Sequence, residues 1–273
     1  MTAQSVAVGT TTTHRRRSGM FLGFGTVFRK EVAEWFKGPK ALIVAGVSVA
    51  GHIFLTLIPF VVRATNQAAE TGLEQSQLDL TLDPTANVLL GWGGQSVALI
   101  AIVATMALLS AERDRGTLAW SLTNPVSPTS VIAAKFVAAL LVFSVTAVIL
   151  PVALQVALAT VVYGGLPDLS MLGTFAGLFL AQPAFYIALT IGIGTAVKST
   201  AGVAGIAFAV MLVPQLVGGL VPIVEELTPT SIGAWAMATA KGEPASMLTL
   251  AGWAVSMVVI VVGSKLIFDR QEL

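Results

Sequence analysis

The side chains able to do chemistry in this sequence are few, and most gather between two long apolar stretches. There the chain reads Ser110, Ala111, Glu112, Arg113, Asp114, Arg115, Gly116, Thr117, Leu118, Ala119, Trp120, Ser121, Leu122, Thr123, Asn124, Pro125, Val126, Ser127, Pro128, with Lys135 shortly after. Gly116 breaks the preceding helix, Thr117 N-caps a short new one, Leu118 and Leu122 share its edge at i,i+4, and Asn124-Pro125 stops it. Ser127 and Pro128 then form a natural N-cap and first-turn pair for the next helix. The chemistry such a segment offers is docking: a short helix with an apolar edge, presented between two others.

Other chemistries lack their residues. There is no Cys, hence no disulfide, thiolate metal site or thiolate nucleophile. No Gly-x-x-x-x-Gly-Lys-Ser/Thr occurs, nor even a Gly-Lys dipeptide, so no P-loop can cradle phosphates. His52 is the one titratable side chain near the middle of an apolar stretch. With no carboxylate in its own or a neighbouring stretch and no Gly-x-Ser-x-Gly, it reads as a histidine bonded to helix backbone or a hydroxyl rather than as part of a relay. The expectation is a chain without catalytic residues, bound metal or cofactor.

The elements that hold these residues follow from composition. Of 273 residues only 11% are charged and 55% are hydrophobic, against about 25% charged in soluble domains; the mean hydropathy is +0.86. That excludes a water-soluble enzyme, a disordered tail and a nucleic-acid-binding domain. Six uncharged stretches reach the ~20 residues that cross a bilayer: 41–62, 88–111, 136–162, 171–197, 201–224 and 244–264. The run 116–134 is long enough, but Asn124, Pro125, Pro128 and six Ser/Thr make it a loop. The run 227–240 is too short to span and suits an interfacial or re-entrant helix.

Six spans put both termini on one side. Sorted that way, thirteen of the fifteen Lys/Arg share the side of the termini, while the other side holds only Arg63 and Lys241 with eight of the fourteen acids. The positive-inside rule makes both termini cytoplasmic, in a multi-pass protein of the cell membrane. Residues 1–18, rich in Ser and Thr with Arg15, Arg16 and Arg17, read as a disordered basic tail, and no cleavable signal follows them. Residues 19–38 read as an amphipathic interfacial helix. Phe21, Phe24, Phe28, Val32 and Trp35 line one face; Thr26, Arg29, Lys30, Glu34 and Lys37 line the other, and Gly38-Pro39 turns the chain into span 1. Residues 39–264 form the transmembrane domain and 265–273 a short cytoplasmic tail. The fold class is therefore all-α and polytopic.

Within the spans no Asp, Glu, Lys or Arg is expected, so no ion-driven motor is visible. Uncharged polar groups recur at depth: Gln95, Ser96, Gln155, Gln182 and Gln215, several beside prolines. They serve either as amide bonds to helix backbone or as the lining of a weakly polar path. Gly173 with Gly177, Gly192 with Gly194, and Gly202 with Gly205 offer small surfaces for close helix packing.

The loop resembles that of the ABC-2 type transporter permeases, in which Glu-x-x-x-Gly-Thr-x-x-x-x-Leu-x-x-Pro follows the second span. Here it is Glu112, Gly116, Thr117, Leu122 and Pro125, with Lys135 next, Arg29-Lys30-Glu31 in the interfacial helix, and Leu227-Thr228-Pro229 before span 6. Ala119 departs from the family, where an acidic residue is frequent, and Trp120 follows it.

The resemblance implies a six-span permease subunit that exports a hydrophobic or amphipathic substrate by alternating access, coupled through 112–130 to a separate ABC-type ATPase carrying ATP and Mg2+. It implies that Glu112, Gly116, Thr117, Leu118, Trp120, Leu122 and Pro125 make that coupling, and that Phe24, Phe28, Arg29, Lys30, Glu31 and Trp35 build the interfacial helix. A second permease subunit, identical or not, is implied, with spans 2 and 5 on the dimer axis and Gln95, Ser96, Met211 and Gln215 as pathway candidates. The alternatives are an ATP-independent secondary transporter or channel, and a non-transporting membrane assembly subunit.

Overall fold

In a computed structural model the described residues are 21–64, 83–90, 95–114 and 126–270; among them every regular element is helical. Six helices are long and apolar enough to cross a membrane: Lys40–Val61, Ser96–Asp114, Thr129–Tyr163, Leu169–Ala196, Thr200–Gly218 and Met247–Ile267. The tail 1–18, and Gly116, Thr117, Leu118, Trp120, Leu122 and Pro125 of the loop, lie outside the described residues.

The interfacial helix α1 runs Phe24–Lys37 and stops where Gly38 turns extended. Gly23 precedes it at φ +80°, and a Cβ there would sit 2.8 Å from Val126 Cγ2, so only glycine lets this turn close on the start of span 3. Span 1 is α2, Lys40–Ala64.

Span 2 differs from the expected 88–111. The described residues give a short helix α3, Pro84–Leu90, and then α4, Ser96–Thr105, and α5, Ser110–Asp114.

Span 3 is longer than expected. Its first part, α6, is Pro128–Phe143, capped by the Ser127 side chain, which accepts from Ser130 N–H. A π-helical turn, Ser144–Ile149, joins it to α7, Leu150–Tyr163. Pro151 explains that wider turn: it lacks the N–H for the Ala147 carbonyl, and the extra residue moves its ring clear. Since α6 starts at Pro128 rather than near Phe136, Lys135 lies two turns inside the helix, not at its mouth. The spanning helices run past the charge-free stretches: Lys135 lies in span 3, Glu112, Arg113 and Asp114 end span 2, Lys40 opens span 1 and Lys265 lies near the end of span 6.

Span 4 comprises α8, Leu169–Phe179, and α9, Ala181–Ala196, offset at Leu180 just before Pro183. Asp168 caps α8 by accepting from Ser170 and Met171 N–H. Almost every side chain of α9 from Gln182 to Ile191 is buried, because spans 2, 3, 5 and 6 all pack on it; α9 is the axis of the bundle.

Span 5 is α10, Thr200–Gly218, with Ser199 as N-cap. It ends sooner than the expected 224, since Pro222 opens a separate helix α11, Pro222–Leu227. The run 227–240 does not span: a 3-10 turn, Pro229–Ser231, leads into α12, Ile232–Ala240, packed against α8 with Ile232 and Ala236 buried. Span 6 is α13, Met247–Asp269, and runs past residue 264.

Among the described residues Gly173 and Gly177 meet nothing within 4 Å. Close packing does occur, as expected, at Gly192, against Ile260 and Ser264 of span 6, and at Gly194, against Leu109, while Gly205 meets nothing within 4 Å.

Candidate functional site: an ion cluster at the root of the loop

Three helices bring five charged side chains together where the loop leaves span 2. Lys135, on α6, is almost wholly buried and donates to Glu31 Oε1 of α1 at 2.8 Å. Its ammonium is also 3.0 Å from Glu112 Oε1 at the end of span 2. Lys30, more exposed, reaches the same Glu112 oxygen at 3.4 Å, Glu34 at 3.5 Å and Glu31 at 3.8 Å. Two cations thus serve three carboxylates.

The placement follows from local pattern. On α1, Glu31 and Trp35 are one turn apart and form the buried edge, which lies along α6. Trp35 fills the core, and Lys40 stands 3.9 Å above its ring. The aromatic face is turned inward: Trp35 packs into the protein, and Phe24 and Phe28, stacked at 5.9 Å, are half-buried. Arg29 and Lys30 are exposed.

Burial pushes the Glu31 carboxyl above its ordinary value of 4.5; Lys135 opposes that rise and the Glu112 carboxylate adds to it. For Lys30 burial acts downward, but the carboxylates of Glu112, Glu31 and Glu34 outweigh it and hold the amine above 10.5. Glu31, Glu34 and Glu112 each place one oxygen within 4.8 Å of the others, the spacing of a cation site. Lys30 and Lys135 already supply the counter-charge, so the arrangement is an ion-pair network.

The neighbouring residue turns the other way. Arg113 donates from Nη1 to the carbonyls of Gly194, at 3.0 Å, and Thr195. These are orphan carbonyls at the C-terminal end of α9, where a cation also complements the helix dipole. Ser110 Oγ lies 3.1 Å from Thr200 Oγ1 at the start of span 5, and one turn pair deeper Thr105 meets Thr190 at 2.8 Å. The root of the loop is therefore tied to α1 and span 3 through Glu112, to span 4 through Arg113, and to span 5 through Ser110.

Sequence reasoning named Glu112, Lys30 and Glu31 but assigned no role to Arg113 and took Lys135 as a marker only. A signal was available: a lysine next to an apolar stretch needs a carboxylate partner, and Glu31 is the acid that falls on the Trp35 side of α1.

The pathway candidates are spread out. Gln95 precedes α4 half-buried, Ser96 is exposed, and Met211 is in the core. Gln215 donates to the Met211 carbonyl of its own helix at 2.8 Å. Spans 2 and 5, which carry them, are neighbours. Of the other polar groups at depth, Gln155 donates across helices to the Asn87 carbonyl at 3.2 Å, and His52 Nδ1 lies 2.7 Å from the Ser48 carbonyl one turn back.

A family model described as "ABC-2 family transporter protein" matches residues 26–273, which is nearly the whole chain. No curated protein matches it. The chain belongs to the ABC-2 transporter family: it is a multi-pass membrane protein, the non-catalytic permease subunit of an ABC transporter, and that family implies an ATPase partner subunit.

Proposed function

We propose that this ABC-2 permease is half of an ATP-driven exporter of hydrophobic or amphipathic molecules, and that its ATPase partner acts on it through the segment 112–130. The observation that carries the reading is the double anchorage of adjacent residues, Glu112 to Lys135 and Lys30, and Arg113 to the end of α9. A loop rooted in that way transmits a push to α1, span 3 and span 4 together. Binding and hydrolysis of ATP with Mg2+ belong to the partner; this chain supplies the lever and the path.

In this reading the termini and the loop face the cytoplasm, which the distribution of Lys and Arg supports, and the protein sits in the cell membrane. Two permease copies, identical or paired with a second chain, pack across spans 2 and 5. Gln95, Ser96, Met211 and Gln215 then stand near the shared path. Association of the ATPases draws the two loops together, and the ion cluster carries that motion into α1 and span 3 while Arg113 carries it into span 4.

The test is co-purification with the ATPase and ATP-dependent efflux of a fluorescent amphiphile from reconstituted vesicles. Charge placed on the apolar edge by Leu118→Glu and Leu122→Glu is expected to abolish both while the chain stays folded. Transport by the purified chain with no ATPase present overturns the reading in favour of an ATP-independent carrier. Retained ATPase binding with no flux under any condition overturns it in favour of an assembly subunit.

A further inference from the structure

Among the described residues nothing covers the face of α1 opposite Glu31 and Trp35, and its chemistry is specific. Arg29, Ala33, Phe36 and Lys37 stand at i, i+4, i+7 and i+8, on one side of the helix, and all four are exposed. Phe36 is 63% exposed. Neither Arg29 nor Lys37 makes an ion pair among the described residues, and the two carboxylates of the helix are turned elsewhere, Glu31 to Lys135 and Glu34 to Lys30. Two cations spaced by about 12 Å along the axis therefore flank an exposed ring with no acid between them.

The position of the ring says what lies against it. Phe36 precedes the turn at Gly38 and Pro39 that starts span 1, whose first outward side chains, Leu42 and Ile43, are 77% and 57% exposed. Those two side chains meet hydrocarbon. Phe36, a few residues earlier in the chain, stands at the edge of that layer, and the stems of Arg29 and Lys37 carry their charges out to headgroup level.

We infer that this face is a binding site for the phosphate headgroups of anionic phospholipids, with Arg29 and Lys37 as the two contacts and Phe36 inserted between acyl chains. The occupant is the bilayer itself. Charge complementarity selects it, since the strip is purely cationic and an anionic leaflet attracts Lys and Arg near its surface. The inference goes beyond the coupling role and does not depend on the ATPase.

The test is native mass spectrometry of the full chain purified in detergent and offered equal amounts of phosphatidylglycerol and phosphatidylcholine. Two cations near an anionic surface give a preference on the order of twentyfold, so retained lipid is expected to be mostly phosphatidylglycerol. The double variant Arg29→Gln, Lys37→Gln is expected to lose that preference, each single variant to keep part of it, and Lys198→Gln, an exposed cation elsewhere, to keep all of it. A second readout is the rise in melting temperature on adding phosphatidylglycerol, expected in the wild type and absent from the double variant. Equal retention of the two lipids by the wild type overturns the inference. So does a double variant that keeps its preference but no longer co-purifies with the ATPase, which would assign the face to that partner.

Discussion

Lys135 Nζ lies 2.8 Å from Glu31 Oε1, although 104 residues separate the two in the chain. Both side chains are nearly inaccessible, and the same ammonium is 3.0 Å from Glu112. Burying such ions is costly, and the cost is offset only where each keeps its partner. The arrangement therefore fixes the interfacial helix, the end of span 2 and the start of span 3 relative to one another more strictly than apolar packing would.

Removing one member should hurt more than removing two. Lys135→Met leaves Glu31 buried beside a second carboxylate, and a loss of about 3–5 kcal/mol is expected. Adding Glu31→Gln to that variant should restore at least half of the loss, because the orphaned charge is gone. Thermal or denaturant unfolding of the two single variants and the double in the same detergent reads this coupling directly. Additive losses would show that the pair does not act as a unit.

Acidity should act on the cluster in a defined direction. The folded pKa of Glu31 is raised above 4.5, so the folded protein binds that proton more readily than the unfolded chain does. Stability contributed by this group then grows as pH falls from the raised value towards 4.5, and is complete below it. Lys30 is raised above 10.5, so its contribution is fully present below 10.5 and is lost as pH climbs through the folded value. Being half exposed, Lys30 gives the small effect of a surface pair. Melting curves from pH 4 to 7 should be flatter for Glu31→Gln than for the wild type; parallel curves would contradict the assignment.

Arg113 separates mechanical from structural roles. Arg113→Gln removes the cation and the paired donation to Gly194 and Thr195, and a cost of about 1–3 kcal/mol is expected for carbonyls left short of partners. If the side chain also links the loop to span 4, ATPase turnover in the assembled transporter should lose its stimulation by substrate, while ATPase binding persists. Arg113→Lys, which keeps the charge but not the planar guanidinium, should recover stability more than stimulation. Full stimulation in Arg113→Gln would confine the residue to capping α9.

Much of this fold was legible because crossing a bilayer demands runs of apolar residues that a window of about 20 can see. Local caps were legible too: Ser127-Pro128 opens span 3 as its spacing implies, and Gly38-Pro39 closes α1. The charge-free bound at 136 fell short of that cap because Lys135 is made tolerable by Glu31 and Glu112, far away in sequence. The partner of the aromatic face was missed for a related reason. Periodicity shows that Phe24, Phe28 and Trp35 share a side, but not whether lipid or span 3 covers it. At the site, Glu112 was readable from the loop pattern, whereas Arg113 needs the end of α9 beside it to acquire a role.

Glycines give the sharpest contrast between sequence and packing. Gly252 of span 6 carries no local signature, yet a Cβ there would overlap the Leu227 carbonyl oxygen and come within 2.8 Å of its carbon. Both obstacles are backbone, so no rotamer change can relieve them, and Leu227 ends the short helix α11 that returns the chain from span 5. Gly252→Ala should therefore push α11 off span 6, lowering expression or melting temperature sharply. Gly177 is the control: its surroundings are open, and Gly177→Ala should be neutral or stabilising by up to about 1 kcal/mol through helix propensity alone. A Gly252→Ala variant as stable as Gly177→Ala would mean that α11 does not press on span 6. Because the overlap is set by one carbonyl, shortening other side chains should not rescue it, which distinguishes this contact from those at Gly192 and Gly194, where side chains of Ile260, Ser264 and Leu109 are the neighbours.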